Sequence, residues 1–263
     1  MNRQLPDLME TEMHNIEYRA AGLNHLSILL EARYKNTGKD GYPIIKQNFD
    51  AYFSDLVNKH DAKPSKPGAE RGVFRKLFKT YGYLPITTDS HLGEYIQWAY
   101  SVADHDAILD FYDNYKEKCL AFYDNKTSYD HYFDLNNLDT HERVVPIIEG
   151  ILSDSAYEEP AINIPNNGYI ECLPKDIVVE VPGIINKSGI SGISFKNYPA
   201  AFGSLLNSQS GVIQMTTDAV LNASKHSAYL ALLADPVVND SYQAEKLLNN
   251  MLETQSKFLY YLK

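Results

Sequence analysis

The spacing of apolar residues predicts a chain that is mostly helical, with a few short extended segments. Apolar side chains recur every three or four positions in six stretches, which places them on one helix face. These stretches cover residues 42–56, 73–78, 104–122, 144–152, 200–221 and 241–262. Extended chain is predicted for 14–35, 161–164, 169–172 and 177–181. The pattern therefore predicts one α+β domain, mostly helical, with a small mixed or antiparallel sheet.

Composition and charge narrow the class of protein. The chain has 263 residues, 44% of them hydrophobic, and a formal net charge of -10. An acidic chain without a Lys/Arg cluster repels phosphate backbones, so no nucleic-acid partner is expected. The sequence contains no run of 18 apolar residues and no apolar segment typical of a signal peptide, so no membrane association is expected. The two cysteines form no CxxC pair, and a cytoplasmic location is expected.

Asn24-His25 is the first candidate for chemistry. The pair stands at the end of an extended segment, directly before the apolar run Leu26 to Leu30. A neutral imidazole at such a position could bind a divalent transition metal. A metal site needs three or more protein ligands, however, and a structural histidine gives the same pattern. The sequence leaves both interpretations open.

A second candidate lies between Thr87 and Tyr95, where Asp89, His91, Glu94 and Tyr95 fall within seven positions. On a helix, His91 shares a face with Glu94 and Tyr95. Histidine with a carboxylate partner is a reasonable general base near neutral pH. The alternative is a helix start that Asp89 caps, followed by a surface ion pair.

The segment Asn163–Gly168 contains Asn-Gly, which favours a hairpin turn between two strands. The same turn could present Asn amides to sugar hydroxyls. The sequence contains no G-x-G-x-x-G, P-loop, G-x-S-x-G or H-E-x-x-H motif. Dinucleotide and nucleotide phosphate loops, serine hydrolases and metalloproteases of those kinds are therefore not indicated.

The order of these segments resembles the family 4 glycoside hydrolases. Asn24-His25 and the residues around it are similar to the family's metal-histidine segment, and Tyr81 to Tyr95 to its second active-site segment. The latter is most similar to the α-galactosidase and α-galacturonidase branch. Further segments follow in the family order: Val145–Glu149, Asn163–Gly168, Leu173-Pro174, Val179–Pro182 and Ala231–Val237.

The resemblance implies a redox-assisted elimination at an O-glycosidic bond, of the α-galactoside, α-glucoside or α-galacturonide class. Family members bind NAD on an N-terminal Rossmann-like domain and a divalent metal, usually Mn²⁺, between the domains. The sugar is oxidised at C3, a base removes the C2 proton, and the aglycone leaves. Mapped onto this chain, the resemblance implies a metal-binding His25, a base among His91, Asp89 and Tyr95, and substrate contacts from Asn24, Glu94, Asn166 and Asn167.

The front of the chain departs from the family pattern. Only 23 residues precede Asn24, and they contain neither a cysteine nor room for a Rossmann βαβ unit. Residues 1–263 are therefore predicted to form a single C-terminal glycosidase domain that lacks the NAD-binding domain. The expected partners are a glycoside substrate, a separate NAD-binding half, and a second copy in a homo-oligomer. The alternatives are a non-catalytic fragment or decayed relative that binds sugar or oligomerises at most, and an unrelated α+β binding module.

The resemblance also makes a geometric prediction. The ring of His25 and one of Asp89, His91 or Tyr95 should face one cleft, roughly 5 to 9 Å apart, with space for a sugar between them. The Asn163–Gly168 turn should border the same cleft.

Overall fold

The structure is a computed structural model that describes residues 4–59, 71–124 and 143–263, with only the backbone described for residues 54–59. Its α-helices are α1 (Gln4–Met9), α2 (Tyr42–Lys59), α3 (Gly72–Tyr81), α4 (Asp89–Tyr95), α5 (His105–Asp124), α6 (Val144–Ser153), α7 (Ala200–Leu221), α8 (Lys225–Ala234), α9 (Ser241–Thr254) and α10 (Ser256–Leu259). Two 3₁₀ turns cover Met13–Asn15 and Gln97–Ser101. None of the helices in these ranges is long and apolar enough to cross a membrane.

Five antiparallel strands form one sheet: β1 (Ile16–Leu23), β2 (Leu26–Tyr34), β3 (Tyr157–Pro165), β4 (Val178–Asn186) and β5 (Gly189–Gly192). The order across the sheet is β2-β1-β4-β3, and β5 pairs with the end of β4 that β1 does not reach. β1 and β4 share one paired position, at which Gly22 lies opposite Glu180. The predicted α+β class with a small sheet is confirmed, and the sheet is antiparallel.

The main core lies between this sheet and helices α1 to α4, with Phe202 and Leu206 of α7 joining it. Helices α8, α9 and α10 contribute no residue to that cluster. No side chain of α5 is buried among the described residues, and Leu109, Phe111 and Tyr123 are more than half exposed. The sheet and the first four helices therefore supply most of the buried core of the described fold.

Most predicted elements are confirmed, and the differences have local causes. The helix predicted for 241–262 is interrupted at Gln255, between α9 and α10. The strand predicted for 169–172 is wrong, because that stretch makes only an isolated bridge from Ile170 to Phe195. The pattern missed the short α1, whose Leu5, Leu8 and Met9 are buried in the core.

A short extended segment continues the sheet beyond β2 and leads to α4. The amide of Leu29 donates to the carbonyl of Leu84 at 2.8 Å, and the amide of Ile86 donates to the carbonyl of Ser27 at 3.1 Å. Residues 84–86 thus run along β2 toward its first residue, Leu26. The chain then enters α4 at Asp89, beside the tip of the β1–β2 hairpin.

Tyr198 links the core to β1, because its hydroxyl donates to the carbonyl of Ala21 at 2.9 Å in a buried position. Burial raises the pKa of Tyr198 well above its ordinary value of 10.0. Because folding raises this pKa, the protonated hydroxyl of Tyr198 stabilises the folded chain below pH 10. That stabilisation is lost as the pH rises through the folded-state pKa. We expect Tyr198→Phe to lower the free energy of unfolding at pH 7 by about 1 kcal/mol.

The variant should also lose less stability than the wild type between pH 7 and about pH 11. Urea unfolding at several pH values measures both effects. Tyr100→Phe is the control, because Tyr100 is 78% exposed. Parallel stability curves for Tyr198→Phe and wild type would contradict the prediction.

Candidate functional site

His25 lies at the tip of the hairpin that joins β1 to β2. The last paired residues are Leu23 and Leu26, so Asn24 and His25 form a two-residue turn and both are exposed. His25 has a φ of 61°, in the left-handed region that Asn, Asp and His adopt more readily than other residues with a side chain. The turn holds the imidazole at the surface, outside the apolar core.

His91 on α4 meets His25. The two ring centroids are 4.2 Å apart and the ring planes are tilted by 40°. The predicted convergence of these two segments is therefore confirmed, although 65 positions separate the two residues in the sequence. For the His25–His91 pair the predicted spacing of 5 to 9 Å is wrong, because rings at 4.2 Å leave no room for a sugar between them. A ligand can only lie across the pair or beside it.

The other side chains of α4 differ in what they contact. The Oε1 atom of Glu94, an exposed residue, lies 3.7 Å from Nδ1 of His91. That nitrogen is buried and has no hydrogen-bond partner, which is uncommon for a buried polar atom. Tyr95 is half-buried against the core, and burial raises the pKa of its hydroxyl. His91 thus carries the least satisfied polar atom described in this segment.

Asp89 does not face the histidines. Its two carboxylate oxygens accept hydrogen bonds from the backbone amides of Val73 and Phe74, both at 2.9 Å, at the start of α3. Burial raises the pKa of Asp89, and these two hydrogen bonds act against that increase. The prediction of Asp89 as a base is corrected: it caps α3 and so ties α4 to that helix. It also does not cap α4, where Thr88 occupies the cap position.

The two predicted asparagines of the 163–168 segment also differ. Asn166 is fully buried, and its Oδ1 accepts from the amide of Ile170. Its Nδ2 lies 3.0 to 3.1 Å from the carbonyl oxygens of Ile170, Leu173 and Pro174, which share its two N–H donors. Its amide is therefore fully used in holding the loop, and the prediction that it binds substrate is corrected. Asn167 is exposed and remains available.

The loop that contains these asparagines is not a tight hairpin, because residues 166–177 connect β3 to β4. Asn163 on β3 and Gly22 on β1 both face Glu180 on β4, and both strands run antiparallel to β4. The ends of β1 and β3 therefore lie at the same end of the sheet. This places Asn167 at the sheet end that carries His25, in agreement with the predicted position of the turn.

Two polar residues near His25 were not predicted as site residues. Ser27 is fully buried, and its hydroxyl donates to Oε1 of Glu180 at 2.8 Å. Burial raises the pKa of Glu180, while the Ser27 hydrogen bond and the charge of His25 act to lower it. A signal was present in the sequence, because Glu180 is the only charged residue within the apolar run Ile177–Val181. A charged side chain in a buried strand usually has a specific partner.

The described residues do not build the cofactor sites that the resemblance implies. Among them, no group of three or more His, Cys, Asp or Glu side chains is arranged to hold a metal ion. His25 is thus a candidate for one donor, and the remaining donors of a manganese site would have to come from elsewhere. The sequence also has no glycine-rich loop for a dinucleotide.

A cavity of about 500 Å³ lies elsewhere on the domain, lined by residues 30–33 of β2, by Asp40, Tyr42 and Lys46, and by Tyr81–Tyr83. Counted along β2 at about 3.3 Å per residue, this cavity lies about 20 Å from His25. The histidine pair is the better site candidate, because His25 is exposed and the ring of His91 beside it has a nitrogen without a hydrogen-bond partner.

Comparison with known proteins identifies the family. The family described as "Family 4 glycosyl hydrolase C-terminal domain" matches residues 20–238. The chain is 38% identical to the alpha-glucosidase of Erwinia rhapontici, over the whole chain and 61% of that protein. It is 27% identical to the alpha-galacturonidase of Thermoanaerobacterium saccharolyticum, over 98% of the chain and 58% of the relative.

Solved structures show the same fold. A 6-phospho-alpha-glucosidase from gut microorganisms, in complex with NAD and Mn²⁺, superimposes with a TM-score of 0.70 at 20% identity. The match covers 98% of this chain and 58% of that one. The chain thus spans about three fifths of the length of these relatives. It belongs to family 4 of the glycosyl hydrolases, of which residues 20–238 match the C-terminal domain.

Proposed function

We propose that this chain is the substrate-side portion of an NAD- and Mn²⁺-dependent glycosidase, and that it is inactive until an NAD-binding portion completes it. The proposed substrates are O-glycosides of the α-glucoside, α-galactoside or α-galacturonide class, as the names of relatives, which include an alpha-galactosidase of Bacillus subtilis, suggest. The observation that carries the proposal is the contact of His25 with His91, 4.2 Å between ring centroids, at the surface of a family 4 domain.

In this proposal the two histidines have different tasks. His91 is the general base through Nε2, because its ring lies against His25 and its other nitrogen, Nδ1, is buried 3.7 Å from the Glu94 carboxylate. A positioned imidazole is the side chain that most often serves as a general base. His25 is one donor to the metal. Tyr95 is the alternative base.

The substrate is proposed to lie across the two rings at the open end of the sheet. Asn24 and Asn167 are exposed at that end, and their amides can both donate to and accept from sugar hydroxyls. The dinucleotide site and the remaining metal donors are assigned to the portion that completes the enzyme. This assignment agrees with relatives that are longer than this chain.

The test is reconstitution. The chain is co-expressed with the part of the Erwinia rhapontici alpha-glucosidase that precedes the segment matched here, and nitrophenyl α-glycosides are assayed with NAD and Mn²⁺. We expect turnover from the pair, none from either part alone, and no heat of NAD binding to this chain by calorimetry.

Turnover or micromolar NAD binding by the isolated chain would contradict the proposal. A pair that co-purifies as a stable complex without turnover would favour a non-catalytic relative that binds sugar or oligomerises.

A further inference from the structure

The cavity of about 500 Å³ lies between the second half of β2, the start of α2 and the end of α3. Its volume falls within the range of about 300 to 1,000 Å³ that is usual for small-molecule sites. It is about 20 Å from His25, counted along β2. The cavity is therefore separate from the histidine pair, and the proposed function makes no use of it.

The aromatic wall of the cavity consists of Tyr42, Tyr81 and Tyr83, which are half-buried. The hydroxyl of Tyr42 donates to the carbonyl of Leu29, which ties that ring to β2. Tyr81 packs edge-on against the buried ring of Phe202, with 5.7 Å between the ring centroids. Tyr83 stands edge-on to Tyr42, with centroids 6.0 Å apart. Because each ring is held by a neighbour, the wall is formed before any ligand binds.

The backbone between two of these tyrosines leaves the cavity open. Gly82 ends α3 with a φ of 79°, in the left-handed region, and the residues on both sides of it line the cavity. A Cβ atom placed on Gly82 would have no neighbour within 4 Å. A ligand can therefore approach the chain closely between Tyr81 and Tyr83.

The polar wall of the cavity carries two carboxylates and two cations. Glu31 and Asp40 supply acceptors, Arg33 and Lys46 supply donors, and the four formal charges cancel. The Asp40 carboxylate is held in place, because its Oδ1 accepts from the amide of Tyr42 at 3.0 Å. Oε2 of Glu31 lies 3.8 Å from Nε of Arg33. The wall thus offers donors and acceptors together, and it favours neither an anion nor a cation.

A neutral sugar matches both walls. Its hydroxyls donate and accept, as the polar wall requires, and its C–H face can pack against the electron-rich face of a tyrosine ring. An apolar ligand would instead take water from four charged side chains without replacing their hydrogen bonds. We propose that this cavity is a second binding site, which takes a neutral sugar independently of the histidine pair. The site goes beyond the proposed function, because all of its residues belong to this chain.

A nuclear magnetic resonance titration of the ¹⁵N-labelled chain with maltose, a neutral disaccharide, tests the site. We expect saturable shifts of the backbone amides of Gly82 and Tyr83 and of the side-chain Nε–H of Arg33, since all three residues line the cavity. Tyr83→Ala should bind maltose about tenfold more weakly, because it removes one ring of the aromatic wall.

Three further variants make the result specific. Tyr242→Ala is the matched control and should leave the affinity unchanged, because Tyr242 is 83% exposed on α9 and does not line the cavity. Lys46→Ala decides the question if Tyr83→Ala does not fold, since Lys46 is exposed. It should weaken binding by about fivefold, through loss of one donor. His91→Gln should leave the shift of the Gly82 amide unchanged.

The absence of a saturable shift at Gly82 and Tyr83 would overturn the proposal, and so would shifts confined to the surroundings of His25 and His91. Wild-type affinity in a folded Tyr83→Ala or Lys46→Ala chain would overturn it as well. The titration uses the isolated chain and does not depend on reconstitution. Maltose binding in the cavity together with an inactive reconstituted pair would therefore reject the proposed function and support the second site.

Discussion

Replacing His91 by Gln is expected to lower kcat of the reconstituted enzyme by about 10² to 10⁴, the usual contribution of a general base. The change should leave the fold intact, because His91 is only half-buried and its Nδ1 makes no hydrogen bond to lose. His25→Asn should reduce turnover to a similar extent, since the imidazole at the hairpin tip is removed. Asn is the suitable replacement there, because it tolerates the left-handed φ of 61° better than Ala does.

Steady-state rates of both variants, with circular dichroism to verify folding, measure this effect. His226→Gln is the control, because His226 is exposed on α8 and lies outside the proposed site. A His91→Gln enzyme with kcat within a factor of two of the wild type would transfer the base assignment to Tyr95. Tyr95→Phe is the variant to examine in that case.

Asp89→Ala is expected to destabilise the chain by about 3 kcal/mol, because it leaves two buried backbone amides of α3 without an acceptor. For a domain of this size the corresponding fall in Tm is about 6 to 12 °C. Asp89→Asn should lose less, since one oxygen still accepts a hydrogen bond. Thermal or urea unfolding measures the effect.

Asp110→Ala is the matched control, because Asp110 is an exposed carboxylate on α5. The experiment also separates two roles for Asp89. A base would lose turnover without loss of stability, whereas a helix cap loses stability first. An Asp89→Ala chain as stable as the wild type would contradict the assignment of Asp89 as the cap of α3.

Local patterns determined the class of the fold and most of its helices. Helix periodicity depends on the spacing of apolar residues within a few turns, so α2, α3, α5, α6 and α7 are readable from neighbouring positions alone. The position of His25 at a strand end is equally local, because it depends on the apolar run that follows. The order of such segments also carried the resemblance to the family, which the match to residues 20–238 confirms.

Only the tertiary structure decided which polar side chains are available for chemistry. Asp89 and Asn166 have side chains typical of a functional site. Asp89, however, accepts hydrogen bonds from α3, 15 residues earlier in the chain, and Asn166 uses its amide to hold the loop that follows it. Glu180 lies within a strand-like run, and only the sheet brings Ser27 within hydrogen-bond reach of it.

The meeting of His25 and His91 was predicted from the resemblance, but the observed distance of 4.2 Å is shorter than the predicted 5 to 9 Å. The spacing is set by residues 84–86 joining the edge of β2 and bringing α4 to the hairpin tip. Hydrogen bonds between strands join residues far apart in the sequence, so the register, and with it the 4.2 Å contact, exists only once the sheet has formed.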